Sequence, residues 1–118
     1  MEHVAPEEAC GMAAGFDHEL TAVLPITNTL HSHSRFRMDG AEQVAAMLDI
    51  ERRGQALMAI FHSHPDGPPE LSARDLEEMQ YPDCSQLLWF RDKDHWRCRA
   101  FRLDGSNVKE VRLEVLNE

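Results

Sequence analysis

The chain has 118 residues, of which 42% are hydrophobic, and its formal net charge is −9 from 12 basic and 21 acidic side chains. This length and composition predict one globular domain over residues 1–118 and exclude an intrinsically disordered chain. The acidic balance argues against nucleic acid and against an anionic membrane as partners, because both present negative phosphates.

Two features favour a cytoplasmic protein. No apolar stretch approaches the length of a membrane span, and residues 1–5 lack the basic and apolar regions of a secretory signal. The cysteines Cys10, Cys84 and Cys98 are odd in number and widely spaced, which is typical of reduced thiols rather than of a disulfide framework. We expect all three to be small buried residues.

Hydrophobic patterning and turn residues predict a chain in which strands flank one central helix and one shorter helix. In chain order, the predicted elements are strands over 9–16 and 19–25, a polar loop over 28–34, an alternating segment over 35–38, a helix over 39–53, a strand over 56–61, a helix over 72–80, and strands over 86–91, 96–103 and 108–116. In the central helix, the residues near the helical period are Val44, Met47, Leu48 and Glu51. The fold class predicted from these elements is α/β (α+β), with a mixed β-sheet flanked by helices.

The segment from residue 56 to Asp75 contains residues that can bind a metal. After the apolar run over 56–61, His62 and His64 follow at positions that share one face of a strand. Ser72 is a good helix N-cap, and Asp75 lies three residues later in the first helical turn. Two imidazoles and one carboxylate can therefore converge, which suits a catalytic zinc with one position left for water.

Each part of this pattern also has a structural interpretation. A histidine at a strand end is often only a polar residue near solvent, and Ser-x-x-Asp can be a capping box without any metal. The His-Ser-His tripeptide also occurs at residues 31–33, where the positions equivalent to Ser72 and Asp75 are Ala41 and Val44. These two cannot bind metal, so we interpret the first copy as an exposed loop and the second as the site.

The spacing that begins at His62, which is His-x-His, seven residues, Ser, two residues and Asp, resembles the motif of the JAMM (MPN-plus) metallopeptidases. Residues 6–15 resemble the Pro-x-Glu-x-Cys-Gly-x-x-x-Gly segment of the small prokaryotic members. Residues 35–39 and 99–102 are also similar to that subgroup, so the resemblance covers nearly the whole chain.

The resemblance implies a cytidine-deaminase-like sheet architecture and a single catalytic zinc bound by His62, His64 and Asp75. It implies that Glu8 is the catalytic carboxylate, which serves as base for water and then as acid for the leaving amine. Ser72 would donate a hydrogen bond to the developing oxyanion while also capping its helix. The spacing alone does not distinguish Glu8 from Glu7.

The implied substrates are ubiquitin-like or sulfur-carrier proteins that end in Gly-Gly. An extended Gly-Gly tail would reach the metal by pairing with a sheet edge. The sequence does not choose between removing conjugates and processing a carrier tail. One alternative function is a non-catalytic scaffold of the MPN type, although this chain retains every ligand. A nucleobase deaminase would need His-x-Glu and Pro-Cys-x-x-Cys, and both are absent.

Members of the family usually begin with a helix before the strand of the catalytic glutamate, but only seven residues precede Glu8 here. The family's N-terminal helix is therefore expected to be largely absent. Either the start of the sequence is short, or something else covers the face that the helix would cover. A partner subunit, such as the second chain of a homodimer, is one hypothesis for that cover.

Overall fold

In the part of the chain that the structure describes, the protein forms a single mixed sheet of six strands with two helices. The computed structural model describes residues 8–17, 19–32, 35–65, 68–104 and 107–113. The elements are β1 Cys10–Phe16, β2 Glu19–Ile26, α1 Gly40–Arg52, β3 Ala56–His64, α2 Ala73–Glu77, β4 Ser85–Asp92, β5 His95–Asp104 and β6 Asn107–Val111. The predicted fold class is confirmed.

The sheet has the strand order β2-β1-β3-β4-β5-β6, which places β3 in its middle. Strands β3 and β4 are parallel, and every other neighbouring pair is antiparallel. Strand β1 packs closely between its neighbours, because Gly11 has no Cβ atom. A Cβ atom at Gly11 would lie 2.3 Å from the Phe61 ring and 2.6 Å from the Leu24 carbonyl oxygen.

Each face of the sheet carries its own apolar cluster, because side chains alternate along every strand. One cluster contains residues of β1, β2, β3 and α1 and the bridge residue before α1, namely Cys10, Met12, Ile26, Met38, Ala46 and Ile60. The other contains Ala13, Ala59, Phe61, Leu87 and Ala100. Since α1 packs on the first face and α2 lies beside His62 and His64 of that face, both described helices are on the same side.

Helix α1 is capped at both ends, but the face that it buries is not the one that the helical period predicts. The Asp39 carboxylate accepts a hydrogen bond from the Glu42 N–H, and the chain leaves the helix at Gly54 with a φ of 67°. The buried residues are Ala46 and Ile50. The apolar residues that follow the helical period are instead exposed, with Val44 at 62%, Met47 at 40% and Leu48 at 49%. A small Ala46 lets the helix approach the sheet closely, so the larger side chains remain outside.

Two predicted elements are shorter in the structure. Helix α2 ends at Glu77 rather than near residue 80, and beyond it the Tyr81 hydroxyl donates a hydrogen bond to Gln43 Oε1 at 2.6 Å. Strand β6 ends at Val111, and residues 114–116 of the predicted strand lie outside the described residues. Residues 35–38 form only an isolated bridge, which joins Met38 to Asn28. Within the described residues, neither helix is long and apolar enough to span a membrane.

Candidate metal centre

Strand β3 places two imidazoles on one buried face. The strand continues past its apolar run, and its register with β4 pairs His62 with Leu88 and His64 with Phe90. Both histidines are buried, and their Nε2 atoms lie 3.2 Å apart. The Nδ1 atom of His64 lies 2.9 Å from the Pro68 carbonyl oxygen, which orients that ring so that Nε2 faces the cluster.

Helix α2 brings a carboxylate to the same point. Asp75 Oδ2 lies 3.1 Å from His64 Nε2 and 3.3 Å from His62 Nε2. The same oxygen accepts a hydrogen bond from the Ser72 N–H at 2.8 Å, while the Ser72 Oγ accepts one from the Asp75 N–H at 3.0 Å. The capping interpretation and the ligand interpretation of Asp75 are therefore compatible, because one capping box holds the carboxylate beside the imidazoles.

Glu8 completes the cluster from the other side. It lies two residues before β1 and is 3% exposed, and its Oε1 atom has no hydrogen-bond partner among the described residues. One ligand atom from each of Glu8, His62, His64 and Asp75 can be chosen so that all four lie within 4.8 Å of one another.

These side chains fit a divalent cation. Nε2 of His62, Nε2 of His64 and Oδ2 of Asp75 are mutually separated by 3.1 to 3.3 Å, and neighbouring ligands of a tetrahedral zinc with bonds of about 2.0–2.1 Å are about 3.3 Å apart. Two imidazoles and a carboxylate are ordinary zinc ligands. The Oε1 atom of Glu8 is buried without a hydrogen-bond partner, which also indicates that the site accommodates another polar group.

Burial and the neighbouring charges perturb the titration of every member of the cluster. Burial raises the pKa of Glu8 from 4.5 to about 7, although the nearby His64 opposes the change. Burial lowers the pKa of His62. Burial alone would raise the pKa of Asp75, but hydrogen bonds to both histidines outweigh it and hold that pKa well below its usual range. Burial would likewise lower the pKa of His64, but its bonds to Asp75 and to the Pro68 carbonyl leave it raised.

A groove leads to the cluster between the segment over 35–38 and the segment over 71–81. The ring of Phe36 stacks on the His62 ring with 4.6 Å between their centroids. Arg35 forms an ion pair with Glu78 at 3.0 Å, which joins the two walls of the groove. Side chains of both charges line the groove, and one end of it is His62 with Asp75.

The wall over 35–38 has a free backbone edge. The Thr29 N–H donates to the Arg37 carbonyl at 2.9 Å, and the Asp39 N–H donates to the Thr27 carbonyl at 3.0 Å. Since alternate residues of an extended segment direct their backbone groups to opposite sides, the N–H and C=O of Phe36 point away from residues 27–29. Among the described residues, no hydrogen bond satisfies these two groups.

The structure brings together the four predicted residues Glu8, His62, His64 and Asp75, and it places Ser72 in the capping box that holds Asp75. Their chemical roles remain predictions. Of the first His-Ser-His copy, His31 is exposed and outside the cluster, while His33 lies outside the described residues, as does Glu7.

Cys10 is 2% exposed, and burial raises the pKa of its thiol to about 12, as expected for a packing residue. The expectation is wrong for Cys84 and Cys98, which are only partly buried. Sequence reasoning missed the stacking of Phe36 on His62 and the contacts of Asn28 and Ser63 described below. An asparagine after a strand is too common to have indicated a functional position.

The chain was compared with known proteins. Residues 1–103 match the family described as prokaryotic homologs of the JAB domain. Among curated relatives, a desampylase of Pyrococcus furiosus is 32% identical over 110 residues, which cover 92% of this chain and 76% of that protein. A CysO-cysteine peptidase of Mycobacterium bovis is 28% identical over 96% of this chain and 80% of its own length.

A third relative, a probable TtuB-protein conjugate cleaving protease of Thermus thermophilus, is 37% identical over 65% of this chain and 52% of its own length. The solution structure of a protein from Desulfitobacterium hafniense superposes with a TM-score of 0.87 at 30% identity, over 98% of this chain and 83% of that one. Of these three relatives, one is named as a desampylase, one as a peptidase and one as a protease. The chain belongs to the family of prokaryotic homologs of the JAB domain.

Proposed function

We propose that this protein is a zinc-dependent peptidase or isopeptidase that hydrolyses the bond after the C-terminal Gly-Gly of a ubiquitin-like or sulfur-carrier protein. The observation that carries this proposal is the buried cluster of His62, His64 and Asp75 with the unpartnered Glu8 carboxylate beside it. A scaffold domain would gain nothing from a buried carboxylate without a partner, because such a group costs stability.

In the proposed reaction, His62, His64 and Asp75 hold the cation. Bound there, zinc supplies Lewis-acid polarisation of the scissile carbonyl and lowers the pKa of water near it. The Asp75 carboxylate is kept ionised by its hydrogen bonds, and burial favours the neutral form of His62 that can bind a cation.

Glu8 moves the proton. Its ionised carboxylate accepts a proton from the attacking water and then donates it to the nitrogen of the leaving amine, so one group serves both halves of the hydrolysis. A pKa raised to about 7 by burial suits a group that must accept and release a proton near neutrality. Ser72 has a hydroxyl hydrogen available for the oxyanion while its oxygen accepts from the Asp75 N–H.

The groove supports an extended peptide tail as the substrate. The strand that carries the histidines is in the middle of the sheet, so a tail cannot pair with it directly. The free N–H and C=O of Phe36 instead offer a short edge beside His62. Because the Phe36 and His62 rings crowd this edge, a tail of two glycines would approach the cluster with the least steric conflict.

The names of the relatives agree with this substrate class. One relative is named as a desampylase, one for cleaving TtuB-protein conjugates and one for CysO-cysteine. The second and third names indicate different leaving groups. The leaving group is a conjugated protein for the TtuB-conjugate protease and a cysteine for the CysO-cysteine peptidase. Both kinds of leaving group carry an amine that Glu8 would protonate.

The test is incubation of the zinc-loaded protein with a small carrier that ends in Gly-Gly. The carrier would be extended in three forms: by a peptide, by a lysine-linked protein and by a single cysteine. Intact mass should show a product that ends at the second glycine, and chelation of zinc should prevent its formation. Cleavage of only one form would identify the leaving group, whereas cleavage of none by zinc-loaded protein would overturn the proposal.

The role of the Phe36 edge is tested by two substitutions at one position. Phe36→Ala and Phe36→Pro both remove the ring, but only proline removes the backbone N–H. If the edge pairs with the tail, the proline variant should have a kcat/KM at least about tenfold lower than the alanine variant, at equal zinc content. Equal values for the two variants would exclude main-chain pairing through this N–H.

A further inference from the structure

The peptide unit that joins Glu8 to Ala9 is held by side chains. The ladders from β1 to both neighbours begin at Cys10, which pairs with Ile26 on one side and with His62 on the other. The Glu8–Ala9 peptide lies just outside these ladders. The carbonyl oxygen and the N–H of this peptide are therefore not bonded within the β1 ladders, although Glu8 and Ala9 are both buried.

Two buried side chains bond this peptide unit instead. The Asn28 Nδ2 donates to the Glu8 carbonyl oxygen at 3.1 Å, and the Ser63 Oγ accepts from the Ala9 N–H at 2.8 Å. Ser63 separates the two histidines in the sequence and is fully buried, and its own N–H also donates to the Ala9 carbonyl at 2.9 Å. The two ends of one peptide plane are thus fixed by residues from β3 and from the segment after β2.

Asn28 is in turn fixed by a network that uses its whole amide. Its Nδ2 also donates to the Arg35 carbonyl at 3.0 Å, and its Oδ1 accepts from the Leu30 N–H at 3.1 Å and from the Arg37 N–H at 3.0 Å. The side chain is 6% exposed, so water does not compete for these bonds. Asn28 therefore has one orientation available to it, with its amide nitrogen toward Glu8.

We propose that Asn28 and Ser63 are positioning residues that clamp the Glu8–Ala9 peptide and thereby hold the Glu8 carboxylate at the cluster. The carboxylate needs such support, because its Oε1 atom makes no hydrogen bond of its own among the described residues. Its place is set by the backbone that carries it. This inference rests on the proposed function, in which Glu8 moves the proton.

The clamp can be broken at either end. Asn28→Asp keeps the oxygen that accepts from Leu30 and Arg37 but replaces the donor with a carboxylate oxygen that faces the Glu8 carbonyl. Ser63→Ala removes the acceptor of the Ala9 N–H and keeps the backbone bond to Ala9. Ser63→Thr restores the hydroxyl. If the aspartate variant does not fold, the alanine variant tests the same peptide from its other end.

The matched control is Thr29→Ala. Thr29 is next to Asn28, and its Oγ1 also bonds the loop at the Arg37 carbonyl, at 3.2 Å, but no hydrogen bond joins it to Glu8. This variant should keep the wild-type rate and the wild-type amide exchange at Ala9.

Two readouts separate positioning from a general loss of structure. Amide hydrogen exchange at Ala9, measured in the metal-free protein, should accelerate at least about tenfold in the Asn28→Asp and Ser63→Ala variants. In the Ser63→Thr variant the exchange rate should be close to that of the wild type. The kcat per folded, zinc-loaded molecule should fall at least about tenfold in both variants, because small misplacements of a catalytic group are costly. In Ser63→Ala the KM should change little, since Ser63 does not contact the Phe36 edge, whereas Asn28→Asp also loses the bond to the Arg35 carbonyl beside that edge. In a Glu8→Gln background neither substitution should lower kcat further.

Unchanged exchange at Ala9, or an unchanged kcat per folded and zinc-loaded molecule, would overturn the clamp. The clamp would also be overturned if Asn28→Asp or Ser63→Ala lowered kcat in the Glu8→Gln background by the same factor as in the wild type. Such a result would show an effect on kcat that does not depend on Glu8. Failure of the proposed function is recognised separately, since Glu8→Gln would then retain activity while the exchange at Ala9 still responds to Ser63→Ala.

Discussion

Replacing Glu8 with glutamine should stabilise the metal-free protein near neutral pH while it removes the activity of the zinc-loaded protein. The side chain is 3% exposed, and burial raises its pKa from 4.5 to about 7. A group whose pKa is raised on folding favours the folded state most below its unfolded pKa, and this contribution is lost as the pH rises through the folded value. The ionised carboxylate therefore destabilises the fold above about pH 7, and neutral glutamine does not.

The magnitude follows from the same pKa. A rise from 4.5 to about 7 corresponds to about 3 kcal/mol, since one pKa unit is about 1.4 kcal/mol. Glu8→Gln should therefore raise the free energy of unfolding by up to about 3 kcal/mol at pH 8 and by less than about 1 kcal/mol at pH 5. The assay is urea unfolding of the chelator-treated protein at both pH values.

The matched control is Glu51→Gln, which removes the same charge from an exposed position on α1. It should change the free energy of unfolding by no more than about 0.5 kcal/mol at either pH. In the zinc-loaded protein, Glu8→Gln should keep its zinc and lose about 10²-fold to 10⁴-fold in kcat, the usual contribution of general acid–base catalysis. Equal gains in the free energy of unfolding at both pH values, or a loss at pH 8, would refute the assignment of Glu8 as a buried carboxylate whose ionised form destabilises the fold.

Three further outcomes are expected at the cluster. Alanine at His62, His64 or Asp75 should abolish stoichiometric zinc binding in elemental analysis, while His31→Ala should leave it unchanged. Ser72→Ala should cost about 1 kcal/mol in urea unfolding from the lost N-cap, whereas kcat should fall about 10²-fold or more if the hydroxyl serves the oxyanion; small and equal effects would leave it a cap only. Zinc retained after dialysis should decrease between pH 8 and pH 5, because protonated imidazoles cannot bind a cation.

The sequence predicted the composition of the cluster better than it predicted the packing around it. The ligand spacing is local, since the two histidines share a strand and Asp75 follows in the next helix, so strand alternation and N-cap chemistry were sufficient. Which stripe of α1 faces the sheet is not local. Val44, Met47 and Leu48 form a reasonable apolar stripe, but the helix approaches the sheet through Ala46, and this preference arises only when the sheet is present.

The position of Glu8 illustrates a different limit. The family resemblance identified the residue, but its place depends on a hydrogen bond from Asn28, twenty residues away, and on the Ser63 hydroxyl bonding its neighbour Ala9. A side chain can bond a backbone carbonyl or N–H almost regardless of the residue type of its partner. Such contacts therefore leave no pattern in a single sequence.

The same amide connects catalysis with the wall of the groove. Asn28 bonds the Glu8 carbonyl with its nitrogen and holds the Arg35 carbonyl and the Arg37 N–H on either side of Phe36. A tail that pairs with the Phe36 edge would contact a segment that is held by the same side chain as Glu8, the proposed proton carrier. Since both are supported by one buried side chain, substrate seating and the placement of Glu8 are expected to change together, and a substitution that moves the edge should alter kcat as well as KM.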